Sequence, residues 1–117
     1  MGITYLTAPV TGPTGVTAEV EFLIDSGSQY TLLPYETWSD LKLKPIRTHA
    51  FRLADGTPIE RQLSQCQIQL SGEVMYTPVI LGEPDDPQAL LGAITLEEFG
   101  LMLNPFNRAL VPMKMML

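Results

Sequence analysis

The stretch Phe22-Leu-Ile-Asp-Ser-Gly-Ser28 decides the fold. It ends a run in which Val16, Ala18, Val20, Phe22 and Ile24 alternate with Thr17, Glu19 and Glu21. A period of two is the pattern of a half-buried strand. That strand runs straight into an acidic residue, and Asp25-Ser-Gly-Ser28 then breaks it. A carboxylate at the end of an apolar strand stands where the medium is partly dry, and burial opposes its charged form. Gly27 removes the side chain that would block the close approach of another backbone. Strand ends and loops on rigid scaffolds commonly carry catalysis. Taken alone, however, Asp-Ser-Gly is most often only a turn, because all three residues favour turns. Its meaning depends on what surrounds it.

Upstream, Ile3 to Val10 reads as a strand and Thr11-Gly-Pro-Thr-Gly15 as a turn. Downstream, Thr31-Leu-Leu33 is a short apolar strand, and Pro34 is suited to open a short helix that carries Trp38 and Leu41 inward. Asp55-Gly56, between Phe51 and Ile59, is a strong hairpin signal, and the strand after it extends to about Leu70. Ser71-Gly72 turns the chain into a strand from Val74 to Leu81, and Glu83-Pro-Asp-Asp-Pro87 reads as a loop. Ala89 to Phe99 is expected to be the best helix, with Leu90, Leu91, Ile94, Leu96 and Phe99 apolar and Gly100 as its stop. Asn104-Pro-Phe-Asn107 is a turn, and Ala109 to Leu117 a last strand. Many short strands with one helix near the C-terminus indicate a closed or folded-over barrel.

The 117 residues make one domain, read as 1–117. With 45% apolar and 17% charged residues, the composition is that of a globular protein. A net charge of −6, with the basic residues scattered, argues against nucleic acid and against anionic membrane surfaces as partners. Cys66 is the only cysteine, so no internal disulfide forms. Together with the lone His49 it is too little for a zinc site, and no cofactor is expected. Neither residue has surroundings that suggest a Cys–His nucleophile pair. No signal-peptide pattern opens the chain and no apolar run is long enough to span a bilayer, so a reducing cytoplasm is the expected compartment.

Three features around Asp25 act as a set. An Asp-Gly hairpin follows about 30 residues later. Ala89-Leu-Leu-Gly-Ala-Ile-Thr-Leu-Glu-Glu-Phe-Gly-Leu101 then opens on an apolar pair and a glycine, and a final strand closes the chain. In this order the sequence resembles the retropepsin-like aspartic proteases over nearly its whole length, roughly Ile3 to Val111, and is read as a bacterial or archaeal cellular member. The resemblance implies a mostly β fold: a closed acid-protease-type barrel with a flap hairpin and one C-terminal helix. Asp25 matches the catalytic aspartate. Ser26 matches the hydroxyl residue that braces the two active-site loops, Gly27 the glycine beside bound substrate, and Ser28 belongs to the same loop. The hairpin around Asp55, Gly56 and Thr57 looks like the flap over the peptide. Leu90-Leu91-Gly92 matches the apolar pair and glycine packed behind the catalytic loop. The partners implied are a peptide or protein substrate and a second copy of the chain, since one Asp-Ser-Gly is half of an aspartic dyad.

Two positions depart from the retroviral pattern. Gln29 and Ala93 stand where retroviral members carry an acidic residue and an arginine that pair. Pro58 beside the flap tip should stiffen it. Ser28 is expected to hydrogen-bond the outer oxygen of Asp25 and so favour an acid-shifted activity optimum. Leu110, Met113, Met115, Met116 and Leu117 are expected at a dimer interface. Trp38 and the tyrosines read as core or rim, Glu97-Glu98 as a solvated helix face, and Asp85-Asp86 as loop. The rival reading is a non-catalytic dimeric β module that uses the protease fold to bind peptides or partner proteins; the intact Asp25-Ser26-Gly27 argues against it.

Overall fold

The structure is a computed structural model and describes residues 3–113. Strand β1 (Tyr5–Thr11) pairs antiparallel with β2 (Thr17–Ile24) across the expected turn. Val20, Phe22 and Ile24 point into the core as the alternation requires, whereas Val16 lies before the strand and is exposed. β3 (Thr31–Leu33) leads into α1 (Tyr35–Asp40), which Pro34 precedes in an extended conformation as its N-cap. Leu41 is fully buried just past α1, and the Trp38 indole N–H donates to the Gly82 carbonyl at 2.9 Å.

β4 (Arg47–Arg52) and the long β5 (Pro58–Leu70) form the Asp55-Gly56 hairpin, and β5 turns through Ser71-Gly72 into β6 (Glu73–Leu81). Both residues of that two-residue turn have positive φ, as a tight hairpin demands. Then come β7 (Ala89–Leu91), α2 (Ala93–Glu98), and a separate two-stranded sheet of β8 (Leu101–Leu103) and β9 (Leu110–Pro112).

The large sheet runs β1-β2-β7-β3-β6-β5-β4, and a further β1–β5 pairing closes six of its strands into a barrel. β4 stays outside that ring and, among the described residues, forms strand pairs with β5 alone, so the β4–β5 hairpin projects from the barrel wall. The barrel interior is filled by Val10, Phe22, Leu33, Ile68, Val79 and Leu91, all fully buried. Among the described residues no helix is long and apolar enough to cross a membrane.

The expected helix from Ala89 to Phe99 is corrected at its start. Ala89-Leu90-Leu91 is a strand, parallel to β2 and touching β3 through Leu90, and the helix begins only at Ala93. A short apolar run fits a buried strand as well as a helix, and here neighbours on both edges supply the ladder that a helix would forgo. Gly92, extended at φ −95 and ψ 174, separates the two elements. The stop is as expected, with Gly100 at φ 67. The last strand is described only as Leu110–Pro112; Met115, Met116 and Leu117 lie outside the described residues. Pro112 sits in the small sheet opposite Leu101, an edge position that tolerates a missing N–H.

Candidate active site

Strands β2 and β7 are parallel, with Ile24 opposite Leu91, so the two chains leave the barrel side by side at Asp25 and Gly92. From there four successive residues grip the loop that Asp25 opens. The Leu91 carbonyl accepts the Asp25 N–H at 3.0 Å. The Gly92 N–H donates to the Thr31 Oγ1 at 3.0 Å. The Ala93 N–H donates to the Ser28 carbonyl at 2.8 Å and the Ile94 N–H to the Gln29 carbonyl at 2.9 Å. The first N–H groups of a helix have no acceptors within it, and here the loop provides them. Gln29 and Ala93, where retroviral members place a charged pair, thus belong to a backbone clasp.

Gly92 has to be glycine. A Cβ there would stand 2.5 Å from the Tyr30 carbonyl oxygen and 2.9 Å from the Thr31 nitrogen, and closer still to the Tyr30 carbonyl carbon. All three are backbone atoms of the loop and cannot rotate aside.

Asp25 is half-buried, and its Oδ1 accepts the Gly27 N–H at 3.0 Å. The Ser28 N–H closes the turn on the Asp25 carbonyl at 3.1 Å. Ser26 and Gly27 are exposed at the top of the loop. Ser26 lines a shallow groove with Leu101, Met102, Leu103 and Met113. The Ser28 hydroxyl donates to the Tyr30 carbonyl at 2.9 Å and not to the Asp25 carboxylate. Its single proton is used within the loop, so the expected acid shift loses its basis. Ser28 supports the loop by another bond than the one foreseen.

The expected flap is the β4–β5 hairpin. Its tip is ordered by its own side chains: the Thr57 N–H donates to the Asp55 carboxylate at 2.9 Å, and the Arg52 guanidinium to the Gly56 carbonyl at 2.9 Å. Gly56 takes φ 88, which few other residues accept. The hydrogen bonds from Thr57 hold the Asp55 carboxyl below its ordinary value. Among the described residues no hydrogen bond joins Asp55, Gly56 or Thr57 to the Asp25 loop. The hairpin meets that loop nearer its base. Tyr30 packs edge-on against Phe51 at 5.6 Å between centroids, and His49 completes the cluster at 4.8 Å from Phe51.

Sequence reasoning missed Tyr30 as the contact between hairpin and loop, and it missed a row of hydroxyls beneath. Thr31, Thr77 and Thr95 are all buried, with Thr95 Oγ1 at 2.6 Å from Thr31 Oγ1 and 2.8 Å from Thr77 Oγ1. The Thr77 hydroxyl donates to Glu98 at 2.6 Å, so Glu98 is not merely a solvated residue of the helix face. One signal existed: Thr77 shares the inward parity of Val79 and Leu81 on β6. Cys66 is buried and desolvation pushes its thiol up to about 12, which fits an inert core residue. Asp86 caps its own loop by accepting the Glu83 N–H at 2.8 Å.

A closed barrel with a strand-end aspartate, a projecting hairpin and a glycine packed behind the loop defines the acid-protease class. The comparisons agree. Residues 15–98 match the family model described as "gag-polyprotein putative aspartyl protease". The chain belongs to this family of retropepsin-like aspartic proteases. No curated protein matches it. Among solved structures, it is similar to a retropepsin-like aspartic protease from Rickettsia conorii, with 22% identity, a TM-score of 0.62, and coverage of 88% of this chain and 77% of that one. The retroviral protease-like domain of Ddi1 from Leishmania major gives 17% identity and a TM-score of 0.61, covering 96% and 87%. EIAV protease gives 20% identity and a TM-score of 0.59, covering 83% and 89%. At these identities the structural likeness speaks for the fold. Membership of the family supports aspartic protease activity in general.

Proposed function

We propose that the protein is an endopeptidase whose catalytic dyad is made from two copies of Asp25 across a homodimer. One observation carries the reading: Asp25 stands at the end of a core strand, its loop gripped from behind by Leu91–Ile94, while the face bearing Ser26 and Gly27 is open. The chain has one Asp-Ser-Gly, and a dyad needs two carboxylates. A C2 dimer supplies the second symmetrically. The groove of Leu101, Met102, Leu103 and Met113 beside Ser26 offers apolar surface to a second copy at the right place.

In such a dyad two carboxylates about 3 Å apart cannot both ionise, so they share one proton. The ionised one takes a proton from water as the water attacks the peptide carbonyl. The protonated one donates to the carbonyl oxygen. The diol then collapses with a proton passed to the leaving amine. The Gly27 N–H donates to Asp25 Oδ1 and fixes the orientation of the carboxylate in each copy. The Asp55–Thr57 tip would close over the bound peptide, and Ser26 would brace the paired loops.

Subunit mixing tests the shared dyad. At fixed total protein, an exchanged equal mixture of Asp25→Asn and wild-type subunits should keep about one quarter of the activity of an all-wild-type sample, because only the wild-type pairs cleave. Activity that falls only to about one half would show that each chain works alone. Absence of cleavage by the wild type itself would favour the peptide-binding module.

A further inference from the structure

The hydroxyl row behind the Asp25 loop has a direction. Each threonine has one proton to donate. The Thr77 hydroxyl donates to Glu98 Oε1, so its 2.8 Å bond to Thr95 must be donated by Thr95. The Thr95 proton is then used, so the 2.6 Å bond between Thr95 and Thr31 must be donated by Thr31. Thr31 Oγ1 is left as an acceptor, and the Gly92 N–H donates to it at 3.0 Å. The chain therefore runs one way, from the Gly92 amide through Thr31, Thr95 and Thr77 to the carboxylate. Every proton has a partner in this arrangement. Thr31 and Thr95 are 0% exposed and Thr77 is 1% exposed, so water offers no substitute along the row.

The inner end of this row is the residue whose neighbours hold Asp25, Ser28 and Gln29. The outer end is a side chain on the surface of α2. We propose that Glu98 is a positioning residue: as the terminal acceptor it orients Thr77, Thr95 and Thr31 so that Thr31 can receive the Gly92 amide and fix the loop that carries Asp25. Its effect on catalysis rests on the protease reading above; its effect on the loop does not. Without an acceptor at position 98, one buried hydroxyl proton has no partner wherever the row places it. If the row reverses to satisfy Thr77, the unpaired proton falls on Thr31, beside Gly92.

Two pairs of variants separate the acceptor from the bulk of the side chain. Glu98→Leu removes the acceptor and keeps cover over Thr77, while Glu98→Gln keeps an acceptor oxygen. Thr95→Val breaks the row in the middle, and Thr95→Ser restores the hydroxyl. The readouts are hydrogen exchange at the Gly92 amide in the folded protein, and kcat and KM for an unfolded protein substrate. Glu98→Leu and Thr95→Val should speed Gly92 exchange about tenfold or more, the scale of one unsatisfied buried group. Both should lower kcat by about tenfold with KM nearly held, because a displaced Asp25 harms the transition state more than binding. Glu98→Gln and Thr95→Ser should return both readouts towards wild type. Gly92 exchange that is the same in the Leu and Gln variants overturns the proposal, as does an unchanged kcat in folded Glu98→Leu or Thr95→Val. If wild type does not cleave, the protease reading fails, and Gly92 exchange alone still decides whether Glu98 holds the loop.

Discussion

Gly92→Ala is the sharpest perturbation the structure offers. The added methyl would sit 2.5 Å from the Tyr30 carbonyl oxygen, about 0.9 Å inside the 3.4 Å where ordinary contact begins. Its other near neighbours are the Tyr30 carbonyl carbon and the Thr31 nitrogen, so no side chain can swing away. Either β7 and α2 retreat or the Asp25 loop moves outward. Overpacking of this kind costs about 1–3 kcal/mol. Retreat also strains the bonds from Gly92, Ala93 and Ile94 to the loop, each worth about 1 kcal/mol. The expected destabilisation is therefore about 2–4 kcal/mol, read as a lower urea midpoint. Activity should fall further than stability, since a misplacement near 1 Å at a reacting group can cost about a hundredfold. Gly72→Ala is the control. A Cβ there meets nothing within 4 Å, and only the φ of +80 resists it. That variant should lose about 1 kcal/mol and keep its activity. If Gly92→Ala is as stable and active as Gly72→Ala, the close approach behind the Asp25 loop is not what requires glycine.

The flap tip should respond to acid. Hydrogen bonds from Thr57 lower the Asp55 pKa from the ordinary 3.8, so their contribution is complete above that value and is lost as pH falls through the depressed one. The Thr57 amide resonance should move in that acid range in wild type and stay flat in Asp55→Ala; a flat wild-type trace refutes the assignment. Cys66, 2% exposed with its thiol pushed up to about 12, should resist iodoacetamide at pH 8 in the folded protein and react once urea unfolds it. Rapid native labelling would mean that β5 opens far more readily than its barrel position implies.

What the sequence revealed depended on how local each signal was. The alternation from Ala18 to Ile24 and its break at Asp25 lie within a few residues, so the site-bearing strand end could be read directly. The Asp55-Gly56 and Ser71-Gly72 turns were legible for the same reason. Ala89-Leu90-Leu91 was misread because its strand state depends on β2 and β3, which supply hydrogen bonds from distant parts of the chain. The hydroxyl row was out of reach altogether. Thr31 and Thr95 are 64 residues apart and Thr77 and Thr95 are 18 apart, and only the barrel brings them together. Ser28 shows the converse: it is close to Asp25 in sequence, yet its hydroxyl turns to the Tyr30 carbonyl, because the loop needs that bond to hold its own shape.

The central claim is that Asp25 performs the chemistry, and the direct measurement is cleavage of an unfolded protein substrate from pH 3 to 8, at high enzyme concentration, by wild type and by Asp25→Asn. The two chains differ only by an amide nitrogen in place of one carboxylate oxygen at the half-buried Asp25, so both should fold alike, which circular dichroism and thermal melts will verify. The prediction is cleavage by wild type and none by the folded variant. Equal cleavage by both would place the activity elsewhere and contradict the account.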